Sequence, residues 1–107
     1  MKVCKFGGTS VANAQQLKKV ASIIHEDPSR KVIVVSAPGK RFEGDTKVTD
    51  LLIDLAEAAL AGQDTAPALQ KVVDRYTQIA VDLELDSEIT AIIAADLAGR
   101  LSFSQEN

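Results

Sequence analysis

The chain has 107 residues, enough for one small domain, and its 46% hydrophobic and 25% charged residues are typical of a globular protein and exclude a disordered one. A net charge of −3, with three Phe and one Tyr, argues against nucleic-acid binding. One cysteine excludes an internal disulfide. The chain shows no signal-peptide pattern, and no apolar run approaches the roughly 20 residues of a membrane span. We therefore expect a cytoplasmic protein without membrane partners.

Residues 2–6 form the first predicted strand. Four small residues follow it: Gly7, Gly8, Thr9 and Ser10. The glycines allow backbone N–H groups to approach an anion closely, and turns of this kind form concave nests of N–H donors. Lys5 adds a mobile positive charge, and the start of the next helix adds free N–H groups. The pattern predicts a phosphate site, although its lysine precedes the glycines, whereas the lysine of a Walker A loop follows them.

A helix is predicted next, beginning near Asn13 and ending before Pro28. Asn13 is a favourable N-cap, and Gln16 completes a capping box, while proline disfavours helix at the residue before it. Residues 31–36 form the second predicted strand, whose continuous apolar run indicates burial on both faces of a parallel sheet. The three elements make a βαβ unit with a right-handed crossover.

A polar loop over residues 37–47 precedes three predicted helices. They cover residues 48–61, ended by Gly62; residues 66–83, opened by Thr65 and Pro67; and residues 87–102, opened by Asp86 or Ser87. Helical spacing assigns these side chains to the core: Leu51, Leu52, Leu55, Ala59, Leu60, Leu69, Val72, Val73, Tyr76, Ile79, Ala80, Leu83, Ile89, Ile92, Ile93, Leu97 and Leu101. Two strands make a narrow parallel sheet, so we expect the chain to be a piece of a larger protein.

The run Lys5-Phe6-Gly7-Gly8-Thr9-Ser10-Val11 resembles the N-terminal signature of the aspartokinases, within the amino-acid kinase superfamily. The segments Val34-Val35-Ser36-Ala37 and Lys47-Val48-Thr49-Asp50-Leu51-Leu52 agree with it in the family's order. The resemblance implies an α/β fold in which residues 1–107 are the N-terminal portion of an incomplete amino-acid kinase domain, with no second domain. This portion holds two strands and about four helices of a three-layer αβα sandwich with a mainly parallel sheet.

The resemblance also implies an activity, aspartate kinase, which transfers the γ-phosphoryl of Mg-ATP to the side-chain carboxylate of L-aspartate. The product, 4-phospho-L-aspartate, opens the synthesis of lysine, threonine and methionine. By this resemblance Lys5 is catalytic, Thr49 and Ser36 contact the aspartate, and the nucleotide phosphates are bound by Lys5, Gly7, Gly8, Thr9, Ser10 and Ser36. Phosphoryl transfer needs positive charge and positioned donors more than covalent chemistry, which suits these residue types. The resemblance also implies ATP and Mg²⁺ as cofactors, with Mg²⁺ carried by the nucleotide. The sequence itself shows no His/Cys/carboxylate grouping with metal-ligand spacing.

Each residue also has an ordinary structural explanation. The glycines suit any turn, Thr9 and Ser10 suit a helix cap, Ser36 suits a strand end, and Thr49 suits a helix N-cap. Lys40 and Arg41 either meet substrate or lie at a solvated loop tip.

Two functional alternatives stay open. One is an amino-acid kinase with another acceptor, such as glutamate, acetylglutamate, carbamate or a nucleoside monophosphate, against which the Thr9-Ser10-Val11 continuation argues. The other is a non-catalytic fragment that folds or self-associates. We expect the isolated chain to be inactive, because the adenine pocket of the family is missing from it. Exposed apolar surface should make it a homo-oligomer.

Overall fold

The computed structural model describes the backbone of residues 1–106 and the side chains of residues 1–101. Its elements, in order, are β1 (Lys2–Phe6), a 3-10 turn (Gly8–Val11), α1 (Ala14–Glu26), β2 (Arg30–Val35), α2 (Val48–Leu60), α3 (Ala66–Asp82) and α4 (Ser87–Glu106). The predicted α/β content of two strands and four helices is confirmed over these residues, and no helix among them is long and apolar enough to cross a membrane. The chain forms two compact units, residues 1–49 and residues from 50 onward.

The first unit holds the parallel pair of strands β1 and β2. Their register pairs Val3 with Val32 and Phe6 with Val35, with one irregularity between Lys2 and Val3. The predicted N-cap of α1 is confirmed, because the Asn13 side chain accepts a 3.0 Å hydrogen bond from the backbone N–H of Gln16. Helix α1 then ends at Glu26, two residues before Pro28, as predicted.

Asp27 joins the end of α1 to the start of β1. Its carboxylate accepts hydrogen bonds from the Lys2 ammonium at 2.5 Å and from the Ser29 backbone N–H at 2.9 Å. The hydrogen bond from Lys2 is the main reason that the pKa of Asp27 lies well below its usual range, and those from Ser29 lower it further. The Arg30 guanidinium donates to the carbonyl oxygen of Ile23, which fixes the turn into β2 to the last turns of α1.

The prediction that β2 is buried on both faces is wrong for this chain. Val32, Ile33, Val34 and Val35 are between 37% and 56% exposed, and Val3 on β1 is 64% exposed. The physical reason is the width of the sheet, since its two described strands are too few to be covered on both faces as wider parallel sheets are.

The second unit packs α2, α3 and α4 around Leu51, Leu55 and Val72. The half-buried residues packed around them are Leu52, Leu69, Tyr76, Leu97 and Leu101, all from the predicted core stripe, and Ala68, which lies outside it. Three assignments are wrong: Leu60 is 85% exposed, Ile92 is 61% exposed and Ile89 is 41% exposed. Leu60 is the last residue of α2, and the apolar residues of α4 are spread around its circumference, so they cannot all face one core.

The helix ends of the second unit follow the sequence with one exception. Gly62 has φ +71°, the left-handed conformation that commonly ends a helix, and Asp86 caps α4 by accepting from the Glu88 backbone N–H at 2.9 Å. Thr65, predicted to open α3, makes no capping bond. The preceding residue, Asp64, instead accepts from the Ala66 backbone N–H at 3.0 Å. Aspartate is as good a cap as threonine, so composition alone did not separate the two.

Candidate active site

The carboxyl ends of β1 and β2 meet at one edge of the sheet. The backbone N–H of Ser36 donates to the carbonyl oxygen of Phe6 at 3.1 Å, which continues the strand pairing one residue beyond Val35. Gly7 and Ala37 therefore begin two neighbouring loops. Ligands of open α/β sheets bind at this kind of edge, outside the carboxyl ends of the strands.

The two loops touch through Gly8 and Gly39. The backbone N–H of Gly39 donates to the carbonyl oxygen of Gly8 at 2.7 Å. A Cβ atom added at Gly39 would lie 2.6 Å from the carbonyl carbon of Gly8 and 2.9 Å from the nitrogen of Thr9. A Cβ at Gly8 would lie 3.2 Å from the carbonyl oxygen of Ala37. Gly39 therefore allows the second loop to lie directly against the first, which a residue with a side chain would prevent.

Gly39 is the site residue that sequence reasoning missed. Sequence reasoning places it in the polar loop over residues 37–47 and gives it no role, because the neighbour that requires it lies in a distant part of the sequence. The available signal was its position in Pro38-Gly39, just after the end of a strand, where a glycine often marks a close backbone approach.

The 3-10 turn presents open backbone at the end of β1. Gly7 has an extended conformation (φ −74°, ψ 174°), and its carbonyl oxygen accepts from the Ser10 backbone N–H at 3.1 Å. Within the described residues, the N–H groups of Gly8 and Thr9 have no acceptor, as is usual at the start of a helical turn. A Cβ at Gly7 would meet nothing within 4 Å. Neither backbone geometry nor packing inside the chain therefore requires glycine at position 7.

The predicted polar side chains of this edge are mostly open to solvent. Lys5, Thr9 and Ser36 are exposed, and Ser10 is half-buried. Lys5 lies on β1 beside Val34 of β2, and no carboxylate of the described residues pairs with its ammonium. The positive charge of Lys5 is thus available to an incoming anion.

Thr49 is held at the far end of the loop that follows β2. Helix α2 begins at Val48, so Thr49 lies inside the first turn, and its interpretation as an N-cap is wrong. Val48 is fully buried, and its backbone N–H donates to the carbonyl oxygen of Pro38 at 2.9 Å. This bond ties the start of α2 to the residue beside Gly39 and leaves Thr49 exposed.

The charged segment of the loop is paired internally. The Arg41 guanidinium binds both carboxylate oxygens of Asp45, with Nε at 2.7 Å and Nη2 at 2.9 Å. The hydrogen bond from Arg41 lowers the pKa of Asp45 far below its usual range, and the same bond raises the pKa of Arg41. The sequence left two explanations for Lys40 and Arg41, contact with substrate or a solvated loop tip. Arg41 is bound within the loop itself, whereas Lys40 is exposed.

Residues 1–102 match the family model described as "Amino acid kinase family". The chain belongs to the amino acid kinase family. It is 49% identical to Aspartokinase 3 of Bacillus subtilis over 107 residues, which are 100% of this chain and 24% of that protein. It is also 41% identical over 89 residues to a protein of Haemophilus influenzae called "Putative inactive aspartokinase 3", which covers 83% of this chain and 59% of that protein.

A solved member of the amino acid kinase family has the same fold. The crystal structure of Clostridium acetobutylicum aspartate kinase superposes with a TM-score of 0.85 and 38% sequence identity, over 92% of this chain and 23% of that one. The resemblance to aspartokinases predicted from Lys5–Val11 and Lys47–Leu52 is confirmed by these matches. The chain spans about a quarter of the length of the Bacillus and Clostridium proteins.

Proposed function

We propose that this chain supplies the phosphate-binding part of an aspartate kinase, which transfers the γ-phosphoryl of ATP to the side-chain carboxylate of L-aspartate and forms 4-phospho-L-aspartate. The observation that carries the proposal is the contact between Gly8 and Gly39. It joins two loops into one edge where backbone N–H groups and the Lys5 ammonium are open to an anion. The identity to Aspartokinase 3 over the whole chain supports the same activity.

The phosphate end of the reaction is assigned to β1 and the turn after it. The N–H groups of Gly8 and Thr9 are positioned donors for the phosphate oxygens, and Gly7 leaves space for them to approach. Lys5 is assigned to the charge that develops on the transferred group, because its ammonium has no competing carboxylate in the described part of the chain. Thr9, Ser10 and Ser36 add hydroxyl groups at the same edge.

The aspartate is assigned to Thr49, with Ser36 shared between aspartate and phosphate. Thr49 lies in the first turn of α2, at the positive end of the helix dipole, which favours a carboxylate. Its exposed side chain leaves the hydroxyl available for a hydrogen bond to substrate.

The donor set at this edge fits the nucleotide. It consists of N–H groups, hydroxyl groups and one ammonium, which suit phosphate oxygens and do not suit a cation. Mg²⁺ characteristically keeps several waters and is bound through substrate phosphates with one or two carboxylates. When bound, Mg²⁺ would neutralise the charge of the phosphates. In the described residues, no group of three metal-ligating side chains lies together.

The experiment that tests this function is a chimera in which these 107 residues replace the matching segment of Bacillus subtilis Aspartokinase 3. ATP- and aspartate-dependent formation of an acyl phosphate, strongly reduced by Lys5→Ala, is the expected result. Glutamate, acetylglutamate, carbamate and a nucleoside monophosphate are tested as acceptors in parallel. Turnover with one of these and not with aspartate would replace the proposal with the corresponding kinase.

A second function, a non-catalytic piece that folds and self-associates, is favoured by the exposed apolar residues of β2 and by the Haemophilus relative, whose name calls it inactive. For the 107-residue chain alone we propose this description, with a homo-oligomer held through that surface. Sedimentation of the chain alone tests the oligomer, and a monomer at moderate concentration contradicts it. Formation of an acyl phosphate by the chain alone contradicts the inactive fragment.

We propose that the whole enzyme acts in the cytoplasm, in the biosynthesis of lysine, threonine and methionine.

A further inference from the structure

The segment between Pro38 and Val48 is a closed loop. Its base is the 2.9 Å hydrogen bond from the Val48 N–H to the Pro38 carbonyl oxygen, which brings the two ends of the loop together. At the first end, Gly39 is buried and bonded to Gly8. At the second end, Val48 is buried and leads directly to Thr49. A compact surface loop with its ends close together is stable only when contacts inside it hold the intervening residues.

Those contacts come from Arg41 and Asp45. Besides the two bonds from the guanidinium, the Arg41 backbone N–H donates to Asp45 Oδ2 at 3.0 Å. The Asp45 backbone N–H donates to the Phe42 carbonyl oxygen at 3.1 Å, and the Arg41 guanidinium lies 5.6 Å from the centre of the Phe42 ring. Gly44 has φ +88°, which lets the chain turn back toward Arg41.

This pair differs from an ordinary surface ion pair. The side chain of Asp45 is only 8% exposed although the loop is on the surface, and its carboxylate accepts three bonds from one residue. A two-pronged arginine–carboxylate pair fixes geometry as well as charge, which a single lysine contact does not. The arrangement indicates that Arg41 stabilises the loop and does not serve as a substrate-binding cation.

We propose that Arg41 and Asp45 are positioning residues that hold the 38–48 loop closed and thereby fix Thr49 relative to the ends of β1 and β2. The consequence for aspartate rests on the proposed function, whereas the closure of the loop does not. The first end of the loop is held independently by Gly39 on Gly8, so loosening the pair frees mainly the second end. The affinity for aspartate should therefore suffer more than the affinity for ATP.

The closing bond is tested first on the 107-residue chain itself. Hydrogen exchange of the Val48 amide reports how often its bond to Pro38 opens. Asp45→Asn and Arg41→Lys are each expected to speed this exchange about fivefold, the shift typical of losing an ion pair of modest strength. Glu43→Gln is the matched control, because it removes an exposed carboxylate of the same loop. Unchanged exchange in Asp45→Asn, or equal acceleration in Glu43→Gln, overturns the proposal.

The consequence for substrate is tested in the chimera described above. Asp45→Asn is expected to raise the KM for aspartate by more than about twofold but by less than the roughly fivefold change in loop opening, because the apparent affinity falls with the fraction of molecules that hold Thr49 in place. The KM for ATP and kcat should stay within about twofold. Equal effects on both substrates overturn the positioning role toward aspartate. If the unmutated chimera does not turn over, the proposed function fails, and the exchange experiment still decides whether the pair closes the loop.

Discussion

Gly39 donates its backbone N–H to the carbonyl oxygen of Gly8 at 2.7 Å, so the loops after β1 and β2 meet through two residues that have no side chains. This contact sets where the N–H groups of the first loop lie relative to the second loop. It explains why a glycine outside the Lys5–Val11 motif is required at the site.

Gly39→Ala should destabilise the first unit and displace the phosphate loop. The new Cβ would lie 2.6 Å from the backbone of Gly8, and backbone has to move to relieve such a clash. We expect a loss of about 2 kcal/mol in the free energy of unfolding, in the range of overpacking substitutions. Urea unfolding of the chain measures it. Gly7→Ala is the matched control and should stay within about 0.5 kcal/mol, because its Cβ meets nothing within 4 Å.

Lys5→Ala should lower kcat of the chimera by about 10²- to 10³-fold, the usual effect of removing one electrostatic contact to the transition state. The fold should be unaffected, since Lys5 is exposed and makes no ion pair in the described part of the chain. Lys19→Ala removes an exposed lysine from α1 and serves as the control. Equal activity of the two variants would remove Lys5 from the reaction.

The Asp27 carboxylate should make stability depend on acid pH. Its pKa is lowered in the folded state by hydrogen bonds from Lys2 and Ser29, so its contribution is complete above the ordinary carboxyl pKa of about 4 and declines as pH falls below it. Asp27→Asn should therefore destabilise the chain at pH 7, and its difference from the unmutated chain should shrink toward pH 2. Urea unfolding across this range tests the prediction, and a difference independent of pH contradicts it.

Leu55→Ala and Leu60→Ala should differ widely although the two leucines lie on the same helix. Leu55 is 3% exposed in the core of the second unit, so its truncation should cost about 2–5 kcal/mol. Leu60 is 85% exposed and its truncation should cost less than about 0.5 kcal/mol. Thermal unfolding of both variants measures the contrast, and similar losses would contradict the core described above.

The sequence was sufficient for the elements that local chemistry controls. Asn13 and Asp86 ended in the capping roles that their side chains suggested, and Pro28 and Gly62 lie at the helix ends where they were expected. These features depend on residues within a turn of each other, which a single sequence displays directly.

Features that depend on distant neighbours were the ones missed. Gly39 is required by Gly8, the pairing of Arg41 with Asp45 depends on the path of the loop, and the exposure of β2 depends on how wide the sheet is. Lys5, Ser36 and Thr49 were found through a motif, and their roles toward ATP and aspartate stay predictions. A motif identifies residues by their type and spacing, whereas contacts between loops can be assigned only once the fold is known.

The two-stranded sheet leaves one edge of β1 and one edge of β2 without a strand partner in the described residues. Unpaired N–H and C=O groups along such edges are templates for a further strand. The chain therefore resembles the smaller piece of a split protein, at about a quarter of the length of the related kinases. Supplied separately with the remaining portion of a related kinase, it should reassemble by strand addition, and recovery of activity from two inactive polypeptides would report that reassembly.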